Sequence, residues 1–145
     1  MVRSINDLGK ILEQGLVYES DSLAKLGFLV KSYQGTDWNR YWKSNECTYT
    51  ELDAYYGKSM KITVATWLPG QYGILNKSPD TKCWVKILRG SLEASPEQEE
   101  PQDRISLLNG NLLWVEGVCR VFRNVSEETA ISLQVYCPYT VAECS

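Results

Sequence analysis

Several side chains along this chain are of types that could perform thiol or metal chemistry, and histidine is missing from among them. The 145 residues include five cysteines and no histidine. Neutral imidazole is a common nitrogen ligand of ferrous iron and the usual proton carrier near neutral pH. A cysteine thiolate is therefore the strongest metal ligand that the chain can offer. The cysteines are Cys47, Cys83, Cys119, Cys137 and Cys144, and since no two have CxxC spacing, we expect reduced thiols.

A first stretch of regular spacing runs from Gly70 to Gly90. Asn76, Ser78 and Cys83 lie between the two glycines, so that successive members of the series are separated by five, one, four and six residues. The stretch from Lys82 to Glu93 follows, with Trp84 and Gly90 within it.

A second stretch begins at Gly117 and contains Cys119, Asn124, Gln134 and Tyr136. With the first stretch, it resembles the paired motifs of the cysteine dioxygenase family, a branch of the cupin superfamily. A cysteine at position 83 in place of the usual cupin glutamate strengthens the resemblance. The N-terminal third is also similar, so the resemblance spans nearly the whole chain.

This resemblance implies a mainly β fold: a cupin, that is, a double-stranded β-helix or jelly-roll small barrel, preceded by two or three α-helices. We expect one domain over residues 1–145, with a helical part at 1–45 and the barrel at 48–145. The length suits a single hydrophobic core.

Family members hold Fe²⁺ with three histidines, and the matching positions here are Asn76, Ser78 and Cys119. Asparagine offers a neutral carbonyl and serine a poorly ionised hydroxyl, so only Cys119 could be a strong ligand. We expect no iron and no other cofactor.

The resemblance also implies a former substrate pocket formed by Tyr49, Glu51, Cys83, Gln134 and Tyr136. Glu51 lies at or near the position of the arginine that binds the substrate carboxylate, and it would repel such a group. Gln134 replaces a histidine that hydrogen-bonds the active-site tyrosine. Cys83 and Tyr136 match a pair that many animal enzymes join by a thioether, which we predict to be absent here.

Helical periodicity predicts the N-terminal elements. Ser4 can cap a helix whose apolar positions include Leu8 and Leu12, and Asp21 or Ser22 can cap a second one that ends at Gly35. A short third helix is expected over residues 37–43.

Period-two alternation and frequent turn residues predict strands after Thr48. The predicted strands cover residues 60–64, 83–88, 91–94, 111–115, 118–122 and 130–136. Turns are expected at Gly70, Gly73, Gly90 and Gly110. The acidic run from Ser95 to Asp103 is interpreted as a solvated hairpin loop, and Trp67, Trp84 and Trp114 as packing residues.

Three functional hypotheses follow. The leading one is a catalytically inactive pseudoenzyme that binds a small molecule or a protein. The alternative is a divergent thiol dioxygenase or another enzyme with a rebuilt metal site, formed by Cys83, Cys119 and Asp80. In a third, Glu51, Lys82, Lys86 and Arg120 near the pocket mouth favour a zwitterionic or anionic ligand.

Composition limits the partners. A formal net charge of −3 disfavours nucleic-acid binding. The sequence shows neither a signal peptide nor a membrane-spanning run, so we expect a cytoplasmic protein that is not bound to a membrane. Similarity to the family suggests a monomer.

Overall fold

A computed structural model describes residues 2–18, 23–75, 82–96, 104–116 and 120–137. Among these residues, two α-helices, α1 (Ile5–Tyr18) and α2 (Gly27–Ser32), and two 3₁₀ helices, Leu23–Leu26 and Asp37–Arg40, precede nine strands. Within these ranges, the helices are too short or too polar to cross a membrane.

The first helix begins as its sequence predicts. The Asp7 amide donates to Ser4 Oγ at 3.0 Å, and this bond satisfies one of the backbone donors that a helix start leaves open. Leu8, Leu12 and Leu16 recur at helical spacing on one side and are buried.

The second and third predicted helices are shorter and tighter than expected. The second is a 3₁₀ turn followed by α2, which begins at Gly27. Gly27 lies against the Trp84 ring, where a β-carbon would come within 2.4 Å of the ring. The third ends at Arg40 and is 3₁₀ throughout. The predicted caps of the second helix, residues 21 and 22, lie outside the described residues.

The nine strands form two antiparallel sheets. The strands are β1 (Thr50–Tyr56), β2 (Lys61–Trp67), β3 (Tyr72–Leu75), β4 (Lys82–Arg89), β5 (Ser91–Pro96), β6 (Ile105–Leu108), β7 (Leu112–Val115), β8 (Arg120–Arg123) and β9 (Ala130–Cys137). One sheet has the order β1-β2-β9-β4-β7 and the other β3-β8-β5-β6. The strand content confirms the predicted mainly β barrel.

Two apolar clusters surround the five-stranded sheet. The outer cluster lies between this sheet and the helices and includes Leu12, Val64 and Leu133; the inner cluster lies between the two sheets and includes Val85 and Phe122. Since successive side chains of a strand point to opposite faces, β2, β4 and β9 each contribute to both clusters. We call the inner space the lumen.

The strand predictions are confirmed within a few residues, but β1, β3 and β6 were not foreseen. Gly70, Gly90 and Gly110 have positive φ, as turn glycines do. The turn predicted at Gly73 is wrong, because this residue lies within β3 and the Tyr49 ring packs on it: an added β-carbon would lie 2.0 Å from that ring. Strands β5 and β6 pair as the predicted hairpin, but Ser95 and Pro96 of the predicted loop belong to β5, where they pair with β8. Residues 97–103 lie outside the described residues.

Candidate functional site

Register places the predicted pocket residues on the lumen-facing side of the five-stranded sheet. Cys83 is paired with Tyr136, and Tyr136 with Lys61, across three adjacent strands. Glu51 is paired with Ala65, and Ala65 with Ser132. Directly opposed residues of neighbouring strands share a face, so these side chains line one wall.

A chain of hydrogen bonds crosses this wall and ends at Glu51. Trp67 Nε1 donates to Ser132 Oγ at 3.0 Å, and Ser132 Oγ donates to Gln134 Oε1. Gln134 Nε2 then donates to Thr63 Oγ1 at 2.9 Å, and Thr63 Oγ1 donates to Glu51 Oε2 at 2.6 Å. All four hydrogen bonds are donated in the same direction, so the last one is donated to the Glu51 carboxylate.

Tyr136 donates to the same oxygen from the other side, with 2.5 Å between its hydroxyl and Glu51 Oε2. Glu51 thus accepts two hydroxyl donors on Oε2 and is only half-buried. Hydrogen bonds to a charged acceptor are about twice as strong as neutral ones, so both hydroxyls hold the Glu51 side chain firmly.

The buried acids beside Glu51 stay protonated. Burial raises the pKa of the Cys83 thiol well above its usual value, and the negative charge of Glu51 raises it further. The pKa of Tyr136 is also raised well above its usual value, first by burial and then by Cys83 and Glu51. A neutral thiol and a neutral phenol are poor nucleophiles and poor metal ligands.

Tyr49 encloses this end of the lumen. Its ring stacks on Trp67 with centroids 4.2 Å apart and planes 7° from parallel. Burial raises the pKa of its hydroxyl, and so does the charge of Glu51. The structure therefore brings together the five predicted pocket residues, although Gln134 reaches Tyr136 only through Thr63 and Glu51.

The basic residues expected near the pocket mouth bind other groups or lie in the opposite sheet. Lys86 lies on the helix-facing side, where its Nζ donates to the carbonyls of Lys31 at 2.8 Å and Tyr33 at 2.6 Å. Lys82 pairs with Glu116 at 3.4 Å. Arg120 begins β8 in the opposite sheet. The described wall is thus more acidic than the sequence suggested.

Asn76, Ser78, Asp80 and Cys119 lie outside the described residues. Among the described ranges, no group of three or more acidic, cysteine or histidine side chains could hold a metal ion. The interpretation of Trp67, Trp84 and Trp114 as packing residues agrees with the structure. Trp67 is fully buried, and Trp84 packs on Trp114 with ring centroids 4.9 Å apart.

Solved structures of other proteins share this arrangement of strands. A protein from Thermus thermophilus superposes with a TM-score of 0.62 at 20% identity, over 71% of this chain and 95% of that one. A Klebsiella pneumoniae protein with a double-stranded β-helix domain gives a TM-score of 0.61 at 16% identity, over 69% and 80%. An RmlC-like cupin of Desulfovibrio desulfuricans gives 0.60 at 14% identity, over 72% and 96%. The chain has the cupin fold.

Sequence comparison relates this cupin to one curated enzyme. It is 28% identical over 154 residues to cysteine dioxygenase type 1 of Danio rerio, covering 93% of this chain and 75% of the relative. No protein-family model matches the chain. The similarity covers both the helical part and the barrel.

Three parts of the cupin wall were not predicted from the sequence. These are Thr63, Ser132 and the hydrogen bond that Trp67 donates. Thr63 alternates with Ile62 and Val64, which suggested a solvent-facing polar side, yet it is 1% exposed. A single strand did not show that its polar side faces the lumen. The signal lay in combining Thr63 with β9, where Ser132, Gln134 and Tyr136 recur at every second position.

Proposed function

We propose that this chain is a cysteine-dioxygenase-like cupin that has lost iron-dependent cysteine oxidation and acts by binding a small molecule or a protein in or at its lumen. The observation that carries the proposal is Glu51. Its carboxylate accepts hydrogen bonds from Tyr136 and Thr63 at the place where the resemblance implies a cation for the substrate carboxylate.

Electrostatics supports the loss of the ancestral substrate. A cysteine carboxylate approaching this wall would meet the negative Glu51, together with a thiol and phenols that burial keeps neutral. Like charges in a partly dehydrated site repel strongly. A glutamate in place of the carboxylate-binding arginine therefore disfavours the binding of amino-acid carboxylates.

Ferrous iron also does not fit the donors that are present. The sequence contains no histidine, and the described neighbours of the site, Cys83 and Tyr136, keep their protons because their pKa values are raised. Asn76 and Ser78 would add only neutral oxygens. This donor set lacks the imidazoles that hold iron in the enzyme family, so we derive no step through iron.

The proposal keeps two earlier expectations. We infer a cytoplasmic location with reduced thiols, and a monomer whose partner is a small molecule or a protein. The rebuilt-metal alternative, with Cys83, Cys119 and Asp80, requires Cys83 to ionise, which its buried position opposes.

The test is metal quantification and intact-mass analysis of protein purified from iron-supplemented cells, combined with an assay for cysteine sulfinate. We expect substoichiometric iron, no sulfinate, and a mass that shows no loss of two hydrogens between Cys83 and Tyr136. Stoichiometric iron together with sulfinate would overturn the proposal. Stoichiometric zinc or copper would support the rebuilt-site alternative instead.

A further inference from the structure

The lumen wall contains a carboxylate whose two oxygens are used differently. Both hydrogen bonds that reach Glu51 from the described part of the chain end on Oε2, from Thr63 and Tyr136. Oε1 accepts no hydrogen bond from the described residues. Glu51 is half-buried, whereas Thr63, Ser132 and Gln134 behind it are at most 1% exposed.

The residues behind Glu51 fix its position. The hydrogen-bond chain runs from Trp67 through Ser132, Gln134 and Thr63, with one donor at each step. It ends at Glu51, whose carboxylate oxygen accepts the last bond. A preorganised network of this kind holds a charged group without the entropic cost of arranging it at binding. The wall is built to present a carboxylate.

No cation of the described residues forms a salt bridge with this carboxylate. Among the described residues, the salt bridges within 4.0 Å are Lys61 with Asp53, Lys82 with Glu116, and Arg104 with Glu93, so Glu51 is in none of them. After burial, the charge of Glu51 also raises the pKa values of its neighbours Tyr49, Cys83 and Tyr136, and Lys61, whose ammonium lies near the Tyr136 ring, forms a salt bridge with Asp53. A partly dehydrated anion of this kind is stabilised by a cation that approaches from the lumen.

Aromatic rings flank the same point. Tyr136 donates to Glu51 Oε2, and Tyr49 lies close enough for the charge of Glu51 to act on its hydroxyl. The ring of Tyr136 already attracts one ammonium, since Lys61 Nζ lies 5.6 Å from its centroid. Aromatic faces beside a carboxylate favour an organic ammonium ion, because the rings contact its alkyl part while the oxygen accepts its N–H group.

From this wall we infer that the lumen binds a small primary ammonium compound that carries no carboxylate, with Glu51 Oε1 as acceptor and Tyr49 and Tyr136 as flanking rings. The inference rests on the proposed binding role and names its ligand class. It replaces the zwitterionic or anionic ligand expected from sequence, because Lys86 faces the helices and Lys82 is paired with Glu116.

The experiment titrates iron-free protein with four compounds at equal ionic strength: propylammonium chloride, ammonium chloride, sodium propionate and β-alanine. Thermal unfolding and amide NMR shifts are followed. A ligand selective for the folded state raises the unfolding temperature with its concentration. We expect a saturable response to propylammonium, a weaker one to ammonium, and none to propionate or β-alanine.

Two variants localise the response. Glu51→Gln keeps the shape of the side chain and removes its charge, so propylammonium affinity should fall by about tenfold or more, the scale of a charge-assisted hydrogen bond. Glu116→Gln makes the same formal change at an exposed carboxylate and should leave the affinity unchanged. Near-UV circular dichroism checks that both variants are folded.

The inference is overturned if propionate or β-alanine binds as tightly as propylammonium, if none of the four compounds gives a saturable response, or if folded Glu51→Gln binds like the unchanged protein. Should Glu51→Gln not fold, the selectivity between propylammonium and propionate still decides. Iron content and sulfinate formation are measured on the same preparations. Activity with iron would sink the proposed function alone, whereas absence of propylammonium binding would sink this ligand class alone.

Discussion

The two faces of the five-stranded sheet treat a buried charged group in opposite ways. On the helix-facing side, Lys86 is 6% exposed and its ammonium donates to two carbonyls at the end of α2. On the lumen-facing side, Glu51 is half-buried, and its Oε1 accepts no hydrogen bond from the described residues. The difference separates a charge that completes a helix end from one that, in our proposal, is presented to a ligand.

The surroundings of the two charges differ in the same sense. The helix-facing side is filled by aliphatic residues such as Ile62, Val64 and Leu133, all fully buried. The lumen-facing side interrupts its apolar core with Thr63, Gln134 and the other members of the donor chain. Fold stability should therefore depend mainly on the first side, and binding on the second.

The largest expected effect tests this division of labour on β9. Leu133→Ala removes a fully buried side chain beneath the helices and should lower the free energy of unfolding by about 2–5 kcal/mol. Urea denaturation measures the change. Val125→Ala, at a position 60% exposed, is the control and should have little effect. A loss for Leu133→Ala no greater than that for Val125→Ala would contradict the contrast.

Lys86→Met tests whether the lysine serves the helix end. It should lower the free energy of unfolding by about 1–3 kcal/mol, because the buried carbonyl of Tyr33 and the partly buried carbonyl of Lys31 lose their donor. The loss is limited because burial, and the nearby charge of Lys31, lower the pKa of Lys86 and so already disfavour its ammonium. Lys31→Met at the exposed neighbouring position is the matched control. Impaired propylammonium binding in folded Lys86→Met would show that the two faces are not independent.

The pH dependence of stability isolates Tyr136 in the lumen. Burial raises its pKa in the folded protein, so between the ordinary tyrosine value of about 10 and the raised value only the unfolded state loses the proton. Stability is thus retained below about pH 10 and falls as the pH rises further, by about 1.4 kcal/mol per pH unit for one tyrosine. Tyr136→Phe should show a slope smaller by that amount in urea titrations at increasing pH. Equal slopes would mean that Tyr136 ionises in the folded protein.

The smallest expected effect concerns the donor chain. Thr63→Val keeps the shape but removes the hydroxyl between Gln134 and Glu51, and it should cost about 1 kcal/mol of folding free energy. The side-chain amide NMR signals of Gln134 should shift as well. Ser106→Ala on exposed β6 is the control. Unchanged Gln134 signals in Thr63→Val would mean that the chain does not run through Thr63.

The fold was predictable where local patterns and the resemblance agreed. Leucines at helical spacing behind Ser4 define α1, and the strand at 130–136 differs from β9 by one residue. Gly73 was misjudged because glycine in a turn and glycine beneath an aromatic ring look the same in sequence. Edge strands β1, β3 and β6 were missed, since each relies on a neighbour for its pairing and for part of its burial.

The sequence by itself determined which functional groups exist: no histidine, a glutamate at position 51, and a cysteine and a tyrosine at positions 83 and 136. Only the tertiary structure decided how they meet. Alternation along a strand tells which residues share a face, but it cannot tell whether a polar face meets water or the opposite sheet. Closing the second sheet over Thr63 and Gln134 turned a solvent-like pattern into a buried donor chain directed at Glu51, and the helices packed on the other face took Lys86 away from it.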